Sequence, residues 1–307
     1  MKKKKHHYVQ KAYLDAWRLA NRIFVLNKKN GHCFESTGRN STAAIEYFYR
    51  FSFDQDVVEL LRYTYIEKSK SAGGYNIHKI MLVLLSVMND NDRIKKRDEV
   101  IENLYSEIEG RIPASISRML RLVEQGAPFD PQAFDDLIFL YCLQMMRTPK
   151  ARKIISDHAK EIYIRERKLD TQQKEDYLKF KLLIDSLALA FEVIGQGCSI
   201  TFYEAGQGEE FINTDSPVIF RGKEDKKNIS GHEGSIPLTP RFMMRVDDIG
   251  SGLRSIKRAK FPKDNVRNFN LVMMQHANEY IYFSSENQRG KYKLLIEAYA
   301  DRVTGLG

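Results

Sequence analysis

The stretch from Arg22 to Ser36 reads RIFVLNKKNGHCFES and predicts a β-hairpin. The first predicted strand of the hairpin contains the apolar pair Val25-Leu26. Asn30-Gly31 separates it from a second predicted strand that begins at His32. Asn-Gly between two strand-like runs is the strongest short-range hairpin signal, because both residues tolerate a positive φ. The hairpin therefore contributes two strands, which are expected to join strands from the C-terminal part of the chain.

Strand-like sequence returns after Gly197, where short runs are bounded by glycine, proline and charged loops. We expect the hairpin and these strands to form a small mixed or antiparallel sheet, which makes the chain a single α+β unit over residues 1–307. Its sub-regions are then 1–53 (motif and hairpin), 54–197 (helical) and 198–307 (strand-rich). The expected C-terminal strands are Ser199–Tyr203, Phe211-Ile212, Val218–Phe220, Phe242–Val246 and Tyr280–Phe283.

The middle of the chain predicts a large helical region. Its clearest helix begins at Asp130-Pro131, an N-cap residue followed by proline at the first helical position. This helix carries an apolar stripe and is expected to end before Pro149, since a residue that precedes proline disfavours helix. Other helices are expected at Val57–Tyr65, Ile77–Met88, Glu99–Glu124, Gln172–Ile194, Asp264–Ala277 and Lys291–Asp301.

Composition places the chain among ordinary globular proteins and excludes several classes. Of its 307 residues, 43% are hydrophobic and 29% are charged. The longest apolar run, from Ile80 to Met88, is far shorter than the roughly 20 residues that span a bilayer. The basic N-terminus lacks the apolar segment of a secretory signal, and the three cysteines are too far apart for a disulfide framework. These features predict a soluble cytoplasmic protein that does not contact membranes.

The net charge of +9 is concentrated in two segments. Residues 1–30 contain nine lysines and arginines against Asp15 alone, and residues 254–267 contain six against Asp264 alone. Such clusters can follow a phosphate backbone, because each contact releases counterions. They can also form a solvated surface that keeps the protein soluble. Charge therefore makes nucleic acid a candidate partner without deciding between these two interpretations.

Six short elements spread along the chain carry a family resemblance. They are His6-His7-Tyr8-Val9 with Tyr13-Leu14 and Trp17, Glu109, Arg147-Thr148-Pro149, Ile212–Val218, Pro237–Pro240 and Asn270. Their order and spacing resemble the bacterial family catalogued as domain of unknown function 4238. Gln10 and Ser216 stand where that family has proline and asparagine, and Ala12 where it has an aromatic residue. Some relatives are associated with defence against phages, so the resemblance implies a toxin-like effector role.

The N-terminal histidines and Asp215 are the first candidates for catalysis. An imidazole can act as a general base or a metal ligand near neutral pH, and either His6 or His7 is expected to enter a site. Asp215 can act as a base, bind a metal or orient a histidine. The alternatives are a histidine that bonds a backbone carbonyl in a charged tail, and an aspartate that serves an ordinary Asp-Ser-Pro turn.

Glu109 and Arg147 complete the candidate catalytic set. The planar fork of Arg147 suits a phosphate or a carboxylate, and it can equally pair with Glu109 or Asp215 as a structural clamp. Glu109 has two possible roles. It is either a third carboxylate of the site or only the partner of Arg147. In the first role, Glu109 and Asp215 are candidate ligands for a divalent metal such as Mg²⁺. The candidates for substrate binding are Lys4, Lys5, Tyr8, Arg254, Lys257, Arg258 and Asn270.

Two spacings resemble those of nucleases. Asp215 with Glu224-Asp225-Lys226 imitates a carboxylate followed by Glu-x-Lys, and Arg152 with His158 has the spacing of some helical ribonucleases that act as dimers. Both fall in charged stretches that produce such matches easily. The signature loops and helices of ATPases, dinucleotide enzymes, zinc proteases and esterases are missing from the sequence.

Two functions from different classes remain. One is a phage-defence-type effector that hydrolyses RNA or DNA, in which His6 or His7 meets Asp215 above Arg147 and Glu109. The other is a non-enzymatic binding or sensing module, in which these side chains form a buried structural network. Hydrolysis of a nucleotide or small molecule is a third alternative, and a homodimer is compatible with each of them. An open cleft lined by the candidates favours the enzyme, and mutual burial favours the module.

Overall fold

The computed structural model of the chain describes residues 5–7, 11–36, 44–46, 55–63, 97–148, 170–220 and 233–292. Its helices are α1 (Lys11–Leu14), α2 (Gln55–Arg62), α3 (Arg97–Gln125), α4 (Pro131–Met146), α5 (Thr171–Gln196) and α6 (Lys263–His276). Its strands are β1 (Lys5–His7), β2 (Ile23–Asn27), β3 (Cys33–Ser36), β4 (Ala44–Glu46), β5 (Cys198–Ala205), β6 (Asn213–Thr214), β7 (Ile219–Phe220), β8 (Gly234–Pro237), β9 (Phe242–Asp247), β10 (Arg254–Phe261) and β11 (Tyr280–Phe283). A 3-10 helix covers Asp15–Trp17, and residues 286–292 are helical. The helix expected at Ile77–Met88 lies outside the described residues, as does most of the one expected at Lys291–Asp301.

The N-terminal hairpin joins two C-terminal strands in a four-stranded antiparallel sheet with the order β3-β2-β11-β6. The hairpin prediction is confirmed, with Leu26 opposite Cys33 and with Gly31 at a φ of 68° in the connecting loop. β11 pairs with the other edge of β2, so that Phe283 lies opposite Phe24. The fold is therefore α+β, but the one expected sheet is divided into two. Tyr280–Phe283 joins the hairpin as expected, whereas the strands expected at Ser199–Tyr203, Val218–Phe220 and Phe242–Val246 lie in a second sheet.

A second sheet has the strand order β10-β5-β9-β8-β7, in which β10 runs parallel to β5 and the other neighbours are antiparallel. The sequence predicts β5, β7 and β9 but neither β8 nor β10. β10 escapes prediction because its residues, RSIKRAKF, mix charged and small side chains and are typical of an exposed basic segment. Its strand conformation depends on pairing with β5, where Cys198 lies opposite Arg254.

The helix boundaries follow the capping residues. At the start of α4 the Asp130 carboxylate accepts a hydrogen bond of 2.9 Å from the Ala133 N–H, with proline next in the chain, as predicted. α5 begins with a capping box, in which the side chains of Asp170 and Gln173 bond each other's backbone N–H groups. α5 ends at Gly197, whose φ of 77° favours glycine.

One hydrophobic core receives side chains from all three sub-regions. It contains Trp17 from the N-terminal region, Leu137 and Phe180 from the helices, and Phe202 and Met244 from the five-stranded sheet, all fully buried. Cys198, Ile200 and Phe202 of β5 point into this core, so the odd-numbered residues of the strand lie on the opposite, outer face of the sheet. That all 307 residues form one unit stays a prediction. Among the described helices, none is long and apolar enough to cross a membrane.

Candidate functional site

Three of the sequence elements meet at a buried junction, here called the motif junction (Tyr13, Trp17, Phe211, Asn213 and Pro237). The Tyr13 hydroxyl donates to the Pro237 carbonyl and lies 3.4 Å from Asn213 Oδ1. Trp17 Nε1 donates to the Phe211 carbonyl at 3.1 Å. Burial raises the pKa of Tyr13, so its hydroxyl stays protonated and keeps donating. The junction holds the N-terminal motif against the strand that leads to Asp215.

The first prediction concerns this junction. Tyr13→Phe keeps the ring and removes the hydroxyl, which leaves the buried Pro237 carbonyl without its donor. We expect the free energy of unfolding to fall by about 1.5 kcal/mol. Urea denaturation followed by circular dichroism measures it, and an unchanged unfolding midpoint and slope would contradict the structural role of the hydroxyl.

Asp215 lies in a cradle of backbone N–H groups. Its carboxylate accepts hydrogen bonds from the N–H groups of Asn278 and Glu279, each at 2.8 Å, and of Tyr280 at 3.1 Å. Its own N–H donates to the Tyr280 carbonyl at 3.0 Å. Burial raises the pKa of Asp215, and the three donors oppose that rise. Because the side chain is fully buried and both oxygens accept backbone N–H groups, the geometry favours a structural role over a ligand or base.

Arg147 and Glu109 are brought together, as the clamp interpretation predicts. Arg147 follows the last residue of α4, and its fully buried guanidinium pairs with the Glu109 carboxylate of α3, whose side chain is 25% exposed. A second polar contact joins the same two helices, since Ser115 donates to Asp136 at 2.6 Å. The pair therefore fixes α3 against α4.

Asn270, a candidate for substrate binding, is fully buried in α6. Its carbonyl oxygen accepts from the Ile212 N–H at 3.1 Å. Its amide nitrogen donates to the Glu210 carbonyl at 2.8 Å and to the Tyr292 hydroxyl at 2.7 Å. These bonds use the amide to hold the segment that enters β6, so Asn270 has a structural partner at each end.

The N-terminal histidines lie in β1, which pairs with β4 so that His6 is opposite Ile45 and His7 opposite Ala44. The side chains of both histidines and of Lys5 lie outside what the structure describes. The same holds for Lys4, Tyr8, Glu224-Asp225-Lys226, Arg152 and His158 as whole residues. A meeting of His6 or His7 with Asp215 therefore stays a prediction.

The remaining substrate-binding candidates lie on β10, and two of them attach this edge strand to the helices. Arg254 pairs with Asp135 of α4 at 3.1 Å. Arg258 pairs with Glu204 at 2.6 Å and donates to the Val123 carbonyl in α3 at 3.0 Å. Lys257 is exposed.

A group of cations surrounds Glu209, and we call it the cationic cluster (Lys263, Arg267, Lys291 and Glu209). Lys263 and Arg267 belong to the basic segment 254–267 that the sequence indicates, whereas Glu209 and Lys291 were not predicted. The Glu209 side chain is 3% exposed, and its carboxylate lies 3.9 Å from Lys263, 2.9 Å from Arg267 and 3.7 Å from Lys291. The three cationic side chains are each about half exposed. The four charges of the cluster sum to +2, and Asp264, which lies 4.0 Å from Arg267, lowers the local sum to +1. No local signal could reveal how Glu209 gathers these cations, because Glu209 and Lys291 are far apart in the chain.

A row of side chains lies on the outer face of the five-stranded sheet and is here called the donor row (Lys257, Thr201, Arg245 and Ser235). Of its members the sequence predicts only Lys257 as a binding residue. Strand register places Lys257 opposite Thr201, Thr201 opposite Arg245, and Arg245 opposite Ser235. The row spans four adjacent strands, two of which the sequence does not predict. α6 covers the neighbouring part of this face, where Val266 packs with Phe211 and Met243.

Within the described part of the chain, no group of three or more histidine, cysteine, aspartate or glutamate side chains is placed to hold a metal ion. Asp215 and Glu109, the two metal-ligand candidates, are each bonded as described above.

Comparison with known proteins places the chain at the level of family. A search of the curated proteins and a search of the solved structures gave no significant match. The sequence model of the family described as protein of unknown function (DUF4238) matches residues 5–287. The matched range contains the motif junction, the Asp215 cradle and the Arg147–Glu109 pair. The chain therefore belongs to the DUF4238 family of proteins of unknown function.

Proposed function

We propose that this protein binds nucleic acid through a basic surface formed by the cationic cluster. The observation that carries the proposal is the gathering of three half-exposed cations around one buried carboxylate. Lys260 is exposed too, but it lies opposite Glu204 and so points to the face of the sheet away from α6, and we leave it out of this surface.

The arrangement suits a phosphate backbone for two reasons. Exposed cations at close spacing release counterions when they meet successive phosphates, which supplies sequence-independent affinity. Glu209 holds three flexible side chains near one another before a ligand binds, which reduces the conformational entropy lost on binding. Arg267 contributes most to this order, since both its Nε and Nη2 approach Glu209 Oε1 at 2.9 Å.

The structural bonds of the other candidates favour recognition over catalysis. Asp215, Asn270 and Arg147 are buried, and each is bonded to groups that hold the fold. In the enzymatic form of the proposal, a defence-type nuclease, His6 and His7 are the remaining candidates for the base. In the other form, the protein is a binding module without catalytic residues.

Binding is tested by fluorescence anisotropy with labelled single-stranded RNA, single-stranded DNA and duplex DNA over a range of salt concentrations. We expect Lys263→Gln with Lys291→Gln to lower affinity about tenfold and to reduce the salt slope by about one unit per lysine. Lys29→Gln is the matched control, since Lys29 is an exposed lysine that pairs with Glu279 at 3.0 Å, beyond the end of α6 opposite to Lys263. The proposal would be contradicted if the double variant bound with the same affinity as the wild type, or if the wild type bound none of the three nucleic acids.

The same strands, incubated with and without Mg²⁺ and separated on denaturing gels, distinguish the two forms. Cleavage by the wild type that is lost in His6→Ala or His7→Ala supports the nuclease. Bound but intact strands under every condition support the binding module.

A further inference from the structure

The donor row differs from an ordinary solvated sheet face in the way that its arginine is held. Arg245 Nε donates to the two Asp247 carboxylate oxygens at 2.6 and 2.5 Å, and Nη1 donates to the Tyr203 hydroxyl at 3.3 Å. The guanidinium carbon lies 5.8 Å from the centroid of the Tyr203 ring. The remaining N–H groups of the fork have no partner among the described residues. Arg245 is therefore oriented in advance and still has donors to offer.

The row also has the shape of a notch. Thr201 is short and 8% exposed, whereas Lys257 and Arg245 on its two sides are long. Adjacent strands are about 4.8 Å apart, so the two cationic side chains start about 10 Å apart and leave the Thr201 hydroxyl at the floor between them. Within the described ranges, neither this hydroxyl nor that of Ser235 nor the Lys257 ammonium makes a hydrogen bond or ion pair.

Four charges lie around the notch, two of them positive and two negative. Two acids face Arg245, namely Asp247, which bonds it directly, and Glu233, whose charge reaches it. Burial acts to lower the pKa of Arg245, but Asp247 outweighs burial and the pKa is raised, so the side chain stays a cation. Asp247 occupies the Nε side of the fork, which leaves the far side free for a second anionic partner. Lys257 adds an exposed positive charge on the opposite wall.

We infer that this notch binds one phosphate group, with Thr201 donating from the floor and with Arg245 and Lys257 donating from the two walls. The oxygens of a phosphate group point in several directions and can accept hydrogen bonds from three sides at once. A carboxylate has only two oxygens, which lie in one plane. The inference deepens the proposed function and rests on it for the source of the phosphate, which is a nucleic-acid strand. A free phosphate ester is the other source of the same chemistry.

The test uses the full chain and two probes that differ only in the phosphate, adenosine 5′-monophosphate and adenosine. Isothermal titration calorimetry is expected to show binding of the monophosphate and none of adenosine. Thr201→Val removes the hydroxyl at constant shape, and Thr201→Ser restores it. We expect Thr201→Val and Lys257→Gln each to weaken monophosphate binding at least fivefold, and Thr201→Ser to leave it within about twofold of wild type.

Arg245→Gln is the stronger variant, but it leaves Asp247 without its partner and can affect folding. Its unfolding curve is therefore measured beside its affinity, and Thr201→Val decides the outcome if Arg245→Gln does not fold. Equal binding of the monophosphate to wild type and Thr201→Val overturns the inference, as does the absence of monophosphate binding.

The two proposals can fail separately. If RNA binding depends on Lys263 and Lys291, and both RNA and the monophosphate bind equally to wild type and Thr201→Val, the proposed function stands and the phosphate notch is overturned. If the monophosphate binds in a Thr201-dependent manner while RNA and DNA do not bind, the notch stands with a free phosphate ester as its ligand, and the nucleic-acid function is overturned.

Discussion

Asp215→Ala is expected to lower the free energy of unfolding by about 4 kcal/mol, because it removes the shared acceptor of three backbone N–H groups. Those groups belong to Asn278, Glu279 and Tyr280, at the turn into β11. The three lost bonds are charge-assisted, which makes each of them stronger than a bond between neutral groups. Urea denaturation by circular dichroism gives the difference.

Two further variants sharpen this result. Asp215→Asn keeps one oxygen that can accept from Glu279 and Tyr280 but turns an amide toward Asn278, so we expect about half the loss, near 2 kcal/mol. Asp264→Ala is the matched control, because the Asp264 side chain is 88% exposed, and it should change stability by less than about 0.5 kcal/mol. Similar losses in Asp215→Ala and Asp264→Ala would refute the cradle.

The second large effect is expected at the helical clamp. Arg147→Met keeps much of the apolar stem and removes the guanidinium, which leaves the Glu109 carboxylate without its cationic partner. Breaking a buried pair on one side costs about 3 kcal/mol, and Arg147 is fully buried here. Glu109→Gln should cost less, because Glu109 is 25% exposed and water can compensate in part. Thermal and urea unfolding of the single variants measure both losses.

A double-mutant cycle isolates the pair itself. The combined Arg147→Met and Glu109→Gln variant should be more stable than the sum of the single losses implies, by about 1 to 2 kcal/mol. Arg22→Met is the control, since Arg22 and Glu35 form an exposed pair and the loss there should stay below about 1 kcal/mol. Strict additivity at Arg147 and Glu109 would show that the contact does not couple them.

Both structural variants also bear on function. Neither Asp215 nor Arg147 belongs to the basic surface or to the donor row, so the folded fraction of each variant should bind RNA as the wild type does. If Asp215→Asn folds but no longer binds or cleaves RNA, Asp215 takes part in the function and not only in the fold.

The parts of the fold that follow from local chemistry could be predicted from sequence. Asn30-Gly31 marks the hairpin, and Asp130 marks the start of α4, because both signals act within a few residues. β10 could not be predicted, since its charged residues become a strand only through pairing with β5, more than fifty positions earlier. The donor row shares this obstacle, because its four members come from four strands whose register no local pattern fixes.

The candidate site shows a different limit. The family elements indicate that Tyr13, Asp215 and Asn270 matter together, and the structure places Tyr13 at a junction with Asn213, 200 positions away. Their chemical roles stay hidden in the sequence, because Asp215 and Asn270 bond mainly to backbone groups, which every residue type has. A polar residue with backbone partners cannot be distinguished from a catalytic one by its identity.

The four-stranded sheet has a consequence for protein synthesis. The ribosome synthesises β2 early, but the strand that pairs with the second edge of β2 is β11, which is synthesised near the end. The separation is large: the side chains of Asn27 and Glu279, which are hydrogen-bonded across this pair, are 252 positions apart. Throughout elongation the hairpin therefore exposes an unpaired edge, which can template pairing with a neighbouring nascent chain. Messages that end before residue 280 would release chains in which that edge is never covered, so truncated products should aggregate while the complete polypeptide stays dispersed.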